Sequence, residues 1–522
     1  MQSIIDSPFV NISLKWIFSI TCILLIGVSD ISAHSKRDNP DLQIFFPRGF
    51  GIAVNQVGYM QGSSLDHKDG PWRAGIRRNF DVRDYKPFAE IGKEAGIRFM
   101  SLFALAEMDR LNIVATLPHA TQAGHDFDNH ENIGPEQLEI MQFVHKESAY
   151  IELGVTGVGH EWWEDGKKIR SEWYDVENNR PRDEAMMRNH LDVIKNILGQ
   201  YGFSEMNGHS FPESFSAYGY YWNPGGEYST GGLFAEYGSK YASTRFELIP
   251  ELDPPDEFHG GIDNGVLILD RGIFGNLWHN YADLPDDPIE TVESDIIDSH
   301  WANWLAYDDF LQPELNERYV EYFRGIQEYP YRYLAKNSEQ LYSQWLYKEN
   351  TEVEFTGQGI AGIDNTGMPD EVYDNSLLGN MVLSIPLNDG QHISDARING
   401  EPVAAIFEEA GFGFIYLPPL QQEIYEMTWE TGNNPMSYSI NNTGTYNVYS
   451  TGEENGQKTF KIRMYGTQDV RFRVPDNYLV ESNHARLKVL EQRYDTENGE
   501  LVVTMNGHDI QGETGVVRLV VQ

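Results

Sequence analysis

The sequence predicts an α/β protein with a parallel sheet, closed or open, followed by all-β modules. Three observations predict it. Up to about residue 345, short apolar runs alternate with amphipathic helical segments, the pattern of strands joined by helical crossovers. From about residue 350 the texture changes to alternating runs broken by Asn-Asp-Gly, Asn-Gly and Pro-Pro turns, which suggests β-sandwich modules. At 522 residues the chain also exceeds one ordinary domain.

The elements follow in order. Lys15 precedes an apolar run from Trp16 to Val28, then small residues to Ala33. That run is too short for a comfortable membrane span and matches a secretory signal over residues 1–33. The single cysteine, Cys22, lies inside it, so the mature chain is expected to hold no disulfide and to rely on core burial, as periplasmic enzymes do. "FGIAVNQVGYM" (50–60) and "GIRFMSLFAL" (96–105) read as strands. Between them 82–96 reads as a helix ending at Gly96. "YIELGVTGVG" (150–159) is the next strand, and 181–202 is an amphipathic helix. "GVLILDRG" (265–272) and "FGNLWHN" (274–280) read as strands, and the stretch from Glu293 to Leu346 reads as helical. The predicted organisation is a barrel over 44–345, one β-sandwich over 350–432 and a second over 435–522.

Net charge is −40, which argues against nucleic acid and anionic membrane surfaces as partners. If the substrate is itself anionic, local Arg, Lys or metal must oppose that field.

Reacting groups of α/β barrels sit at the C-terminal ends of strands. The first strand ends in Asn55, Gln56 and Tyr59, with Asp66, His67, Arg73 and Arg77 in the loop behind it. The stretch "GVTGVGHEWW" supplies Thr156, His160, Trp162 and Trp163. His209 and an aromatic cluster including Tyr218 and Trp222 follow, then His279 and Asn280. The tryptophans read either as sugar platforms or as core, and the arginines either as anion partners or as partners of nearby carboxylates. "HDFDNH" (125–130) has metal-ligating residue types, but Asp and Asn in a loop are more often turn formers. "HEWWED" lacks the second histidine of the zincin pattern.

Order and texture over about 44–345 resemble the polysaccharide deacetylase family, which implies a distorted (β/α) barrel. Those enzymes hold a metal with an Asp after the first strand and a His-x-x-x-His pair after a later one. This chain departs from that pattern. It has Val54-Asn55-Gln56-Val57 for the Thr-Phe-Asp-Asp segment, Thr156 and His160 for the histidine pair, and Phe211-Pro212-Glu213 for Arg-Pro-Pro. One histidine, one threonine and two amides do not make a zinc site, so no metal and no cofactor is expected.

In domain plan and altered motif the chain resembles the ulvan-oligosaccharide dehydratases of marine flavobacteria. That resemblance implies removal of water from a non-reducing-end uronic acid, leaving a 4,5-unsaturated sugar. The chemistry needs charge neutralisation at the carboxylate, a base near C5 and an acid at the leaving 4-hydroxyl. Asn55 and Gln56 with Arg73 or Arg77 are candidates for the first need, His160 or His279 for the base, and Tyr59 or a tyrosine of 218–222 for the acid. The expected partner is an anionic, uronic-acid oligosaccharide. The alternatives are a metal-dependent deacetylase with unusual ligands and a sugar-binding pseudoenzyme.

Overall fold

The computed structural model describes residues 43–58, 81–130, 133–169, 171–178, 180–217, 219, 221–222, 228–245, 260–273, 281–284, 292, 294–357 and 359–521. Its first part is a closed barrel of seven parallel strands: β1 (Arg48–Val57), β2 (Phe99–Ala104), β3 (Ile151–Gly157), β4 (Ser214–Phe215), β5 (Tyr241–Thr244), β6 (Val266–Ile273) and β7 (Ile296–His300). Their order is β6-β7-β1-β2-β3-β4-β5, and β5 pairs back onto β6 to close it. An antiparallel strand, Gly260–Asp263, folds onto β6, and Arg332–Leu334 pairs with the start of β1.

The α-helices of this first part are α1 (Lys86–Ala95), α2 (Pro135–Lys146), α3 (Glu184–Gln200), α4 (Thr230–Tyr237), α5 (Gln312–Gly325) and α6 (Ser338–Asn350). Gly96 ends α1 in the left-handed region at φ 66°, its N–H returning to the Gly92 carbonyl; a side chain there would strain the backbone. Asp183 caps α3 by accepting from the N–H groups of Ala185 and Met186.

Strand alternation sorts the barrel into two apolar layers. Ile52, Val54, Phe99, Phe103, Leu153 and Val155 face the helices in one core cluster. Ala53, Met100, Leu102, Tyr241, Leu267 and Ile296 fall in a second cluster, with Leu341 and Tyr342 of α6. That second cluster continues into the β region through Ile385, Ile406, Met427 and Phe472. The end of the expected barrel at 345 therefore falls inside α6, a helix that belongs to the core shared by both parts.

The β region consists of three separate sheets. One is five-stranded (352–357, 360–364, 424–432, 392–398, 401–402). One is seven-stranded (381–386, 412–417, 405–409, 439–441, 467–473, 500–507, 487–495), and one is four-stranded (447–454, 457–464, 513–521, 478–482). The linker expected near 432–435 lies between strands, yet the seven-stranded sheet runs across it. Ala405 and Ile406 pair in parallel with Ile440 and Asn441.

One prediction holds only in part: α5 and most of α6 do lie in the stretch read as helical, but two strands interrupt it. The stretch read as helical from Glu293 to Leu346 begins with β7, held between β1 and β6, and includes the short strand Arg332–Leu334. The β-branched pair Ile296-Ile297 suits a buried strand, and pairing on both sides overrides the helix-like spacing that follows it. The strand read at 274–280 lies outside the described residues.

Candidate active site at the C-terminal end of the barrel

β1 ends irregularly. Its register against β2 shifts between Val54 and Val57, and Gln56 within that bulge has φ 60°. Across the barrel mouth, His160 beyond β3 has φ 69°. A non-glycine residue in the left-handed region carries strain, and such residues concentrate at functional sites. These two touch: Gln56 Nε2 lies 2.6 Å from His160 Nε2. His160 Nδ1 stands 4.0 Å from Glu161 Oε1, which in turn accepts from Lys168 Nζ at 2.9 Å.

His300, paired in register with Asn55, ends β7. Burial pulls its pKa down to about 4; the Arg271 and Arg245 cations act the same way, against the opposing pull of Asp298. His160 is driven well below the usual histidine range, first by burial and then by His300 and Lys168. Both rings are neutral imidazoles at physiological pH.

Below them lies a polar layer inside the barrel. Arg271 of β6, with a fully buried side chain, places Nη2 2.6 Å from Asp298 Oδ1. Its Nη1 donates to Ser216 Oγ at 2.8 Å and to Asn55 Oδ1 at 3.2 Å. Asn55 Nδ2 donates to Asp298 Oδ1 at 3.0 Å. A guanidinium and a carboxylate out of water need such a ring of partners.

Of the residues expected from sequence, Asn55, Gln56 and His160 come together here. Thr156 is buried at the end of β3. Tyr59, Arg73, Arg77, Tyr218, His279 and the Asp66–His67 pair lie outside the described residues. The tryptophans are not sugar platforms. Trp162 is 2% exposed and already stacked on His119 at 4.3 Å, with the Arg182 guanidinium 4.0 Å from its centroid. Trp163 is buried as well. Trp222 is buried against Phe215 and Phe234 and donates to Asp263 Oδ2. Each indole is worth more to the protein as packed apolar area than as an exposed ring. His209 precedes β4 at the opposite end of the barrel and accepts from the Ile510 N–H at 3.1 Å.

Residues 125–130 do build turns. Asn129 Nδ2 donates to the carbonyls of Glu107 and Asp109, and Asp128 accepts from the His130 N–H. Among the described residues no group of three or more His, Cys, Asp or Glu side chains is placed to hold a metal ion.

Sequence reasoning missed His300, Asp298, Arg271 and Arg245. "DSH" and "LDRG" carried a signal as polar residues alternating into a strand interior, but the first lay in a stretch read as helix. Comparison of the chain with family models, with curated proteins and with solved structures finds no match.

Proposed function

We propose that the C-terminal end of the barrel is an acid–base site that removes water from the non-reducing-end uronic acid of an anionic, ulvan-type oligosaccharide. One observation carries the reading: two imidazoles, the buried His160 and the half-buried His300, stand at strand ends and are held neutral by desolvation. A neutral imidazole is a proton acceptor, and abstraction of the C5 proton of a uronate requires one. The electron pair left at C5 forms the C4–C5 double bond as the 4-hydroxyl leaves, protonated, as water. The acid role falls to Tyr59 or Tyr218.

The carboxylate must gain negative charge during this step, which cations and amide donors stabilise. Arg245, just beyond β5, has its charge felt at His300 and is our candidate for the carboxylate partner. Arg271 and Asp298 hold Asn55 in place beneath. We further propose a deacetylase-like ancestry for the barrel, pairing of the β-sheets as sandwiches, and action in the periplasm after secretion.

The test is incubation of uronic-acid-ended oligosaccharides, sulfated and unsulfated, with the full protein, with and without chelator. Loss of one water by mass, with the ultraviolet absorbance of an unsaturated uronate, is the expected result. Release of acetate restored by zinc would replace the reading with a deacetylase. Binding without any product would replace it with a sugar-binding protein.

A further inference from the structure

The loop that carries His160 is gripped from behind. After β3 the backbone turns so that three successive N–H groups converge on one carboxylate. Val158 N lies 3.0 Å from Glu172 Oε1, while Gly159 N and His160 N lie 3.2 and 2.8 Å from Oε2. His190 Nδ1, from α3, stands 2.6 Å from Oε1. Four donors thus meet a carboxylate whose two oxygens offer about four acceptor sites, and its side chain is fully buried. Successive backbone N–H groups form a concavity that binds anions; here the protein's own glutamate occupies it.

Of the glycines of "TGVGH", Gly157 is explained by the same grip and Gly159 by the close approach of the Ala120 backbone. A Cβ on Gly157 would lie 2.2 Å from Glu172 Oε2, and one on Gly159 would lie 1.6 Å from the Ala120 carbonyl oxygen. Only bare backbone can wrap the carboxylate this closely. His190 is itself fixed, stacked at 5.9 Å on Trp162 and edge-on at 6.0 Å to Trp173.

Burying a carboxylate without an Arg or Lys partner is costly, and a loop needs no such anchor merely to connect two elements. What this one holds is the strained backbone of His160 and, through it, the imidazole against Gln56. We propose that Glu172, itself oriented by His190, is a positioning residue that fixes the orientation of His160 for proton abstraction. The proposal rests on the reading of His160 as the base.

The test uses Glu172→Gln in the full chain, which keeps the shape but replaces a carboxylate oxygen with a donor. Amide exchange at residues 158–160 should accelerate about tenfold, the equivalent of one lost charge-assisted hydrogen bond. The nitrogen resonances of the His160 ring should shift from their wild-type positions. Turnover of the uronic-acid oligosaccharide should fall about 100-fold with KM little changed, as expected for a misplaced base. His190→Gln should shift the same signals in the same direction by less, and serves if Glu172→Gln does not fold.

Unchanged exchange and an unchanged His160 ring spectrum in either folded variant would overturn the proposal. The two readings separate cleanly. If the wild-type protein makes no unsaturated product while the ring and exchange signals still move, the grip on His160 stands and the dehydratase reading falls.

Discussion

Among the described residues the barrel interior holds two buried arginine–carboxylate pairs, one toward each end. Arg98, just before β2, lies 2.9 Å from Glu152 at the start of β3. Arg271 lies 2.6 Å from Asp298 near the opposite end. Chemically they are near twins; their surroundings are not. The Arg98–Glu152 pair is closed over by the β region: Arg98 donates to the carbonyls of Ser148 and Ile510, and Glu152 accepts from Ser214 and Ser338. Nearby, Arg463 of the β region bridges Glu213 and Glu339. This end is a seal between two parts of one chain. The Arg271–Asp298 pair instead supports Asn55 and lies beneath three residues, His300 and the two strained ones, Gln56 and His160. The same ion pair serves as a clamp where other protein covers it and as a foundation where a site stands on it.

His160→Ala is the sharpest way to separate the two ends. Turnover should drop by about 10²–10⁴-fold, the usual contribution of a general base, while the folded-state circular dichroism spectrum is kept. Equal loss from a substitution at the sealed end would break the comparison.

Arg98→Met and Arg271→Met should each lower stability by about 3–5 kcal/mol, because each strands a buried carboxylate. Chemical denaturation reads this. Only Arg271→Met should also raise the pKa of His300 from about 4, since it removes a neighbouring cation; a histidine NMR titration decides.

Lys336 sharpens the picture of the seal. Its carbonyl accepts from the Arg98 N–H, and its buried ammonium lies 3.9 Å from the centroid of Phe407. Burial lowers its pKa from 10.5 to about 8. Between those values the unfolded chain binds the proton and the folded one does not, so stability rises as pH rises. The gain is about 3 kcal/mol by pH 10.5, and the penalty is present in full below pH 8. Lys336→Met should remove this slope. Parallel stability–pH curves for variant and wild type would contradict it.

Smallest are the matched serines. Ser216→Ala takes a partner from Arg271, and Ser338→Ala takes one from Glu152; each should cost about 1–2 kcal/mol. Turnover should change only for Ser216→Ala.

How much of this was legible in the sequence depends on the range over which the signal acts. Helix α1 with its Gly96 stop, the strands ending at Val57 and Gly157, and the β texture after residue 350 all follow from spacing within a dozen residues. So does the placing of Asn55, Gln56 and His160 at strand ends. β7 was misread because Trp301, Trp304 and Leu305, spaced as on a helix, follow directly on its five residues. The tryptophans at 162, 163 and 222 were ambiguous for another reason: a large aromatic has the same local signature on a surface as in a core.

Local pattern was thus enough for the class of fold, for the change from α/β to β, and for half of the site. Barrel closure supplied the rest. Arg271 and Asp298 stand 27 residues apart on neighbouring strands, and they become a pair only when β6 and β7 lie side by side. His300 becomes a neutral ring only when burial removes its water. Glu172 becomes an anchor only when the backbone of 158–160 turns toward it. Charge, burial and hydrogen bonding at a site are sums over neighbours, and closure of the chain is what chooses the neighbours.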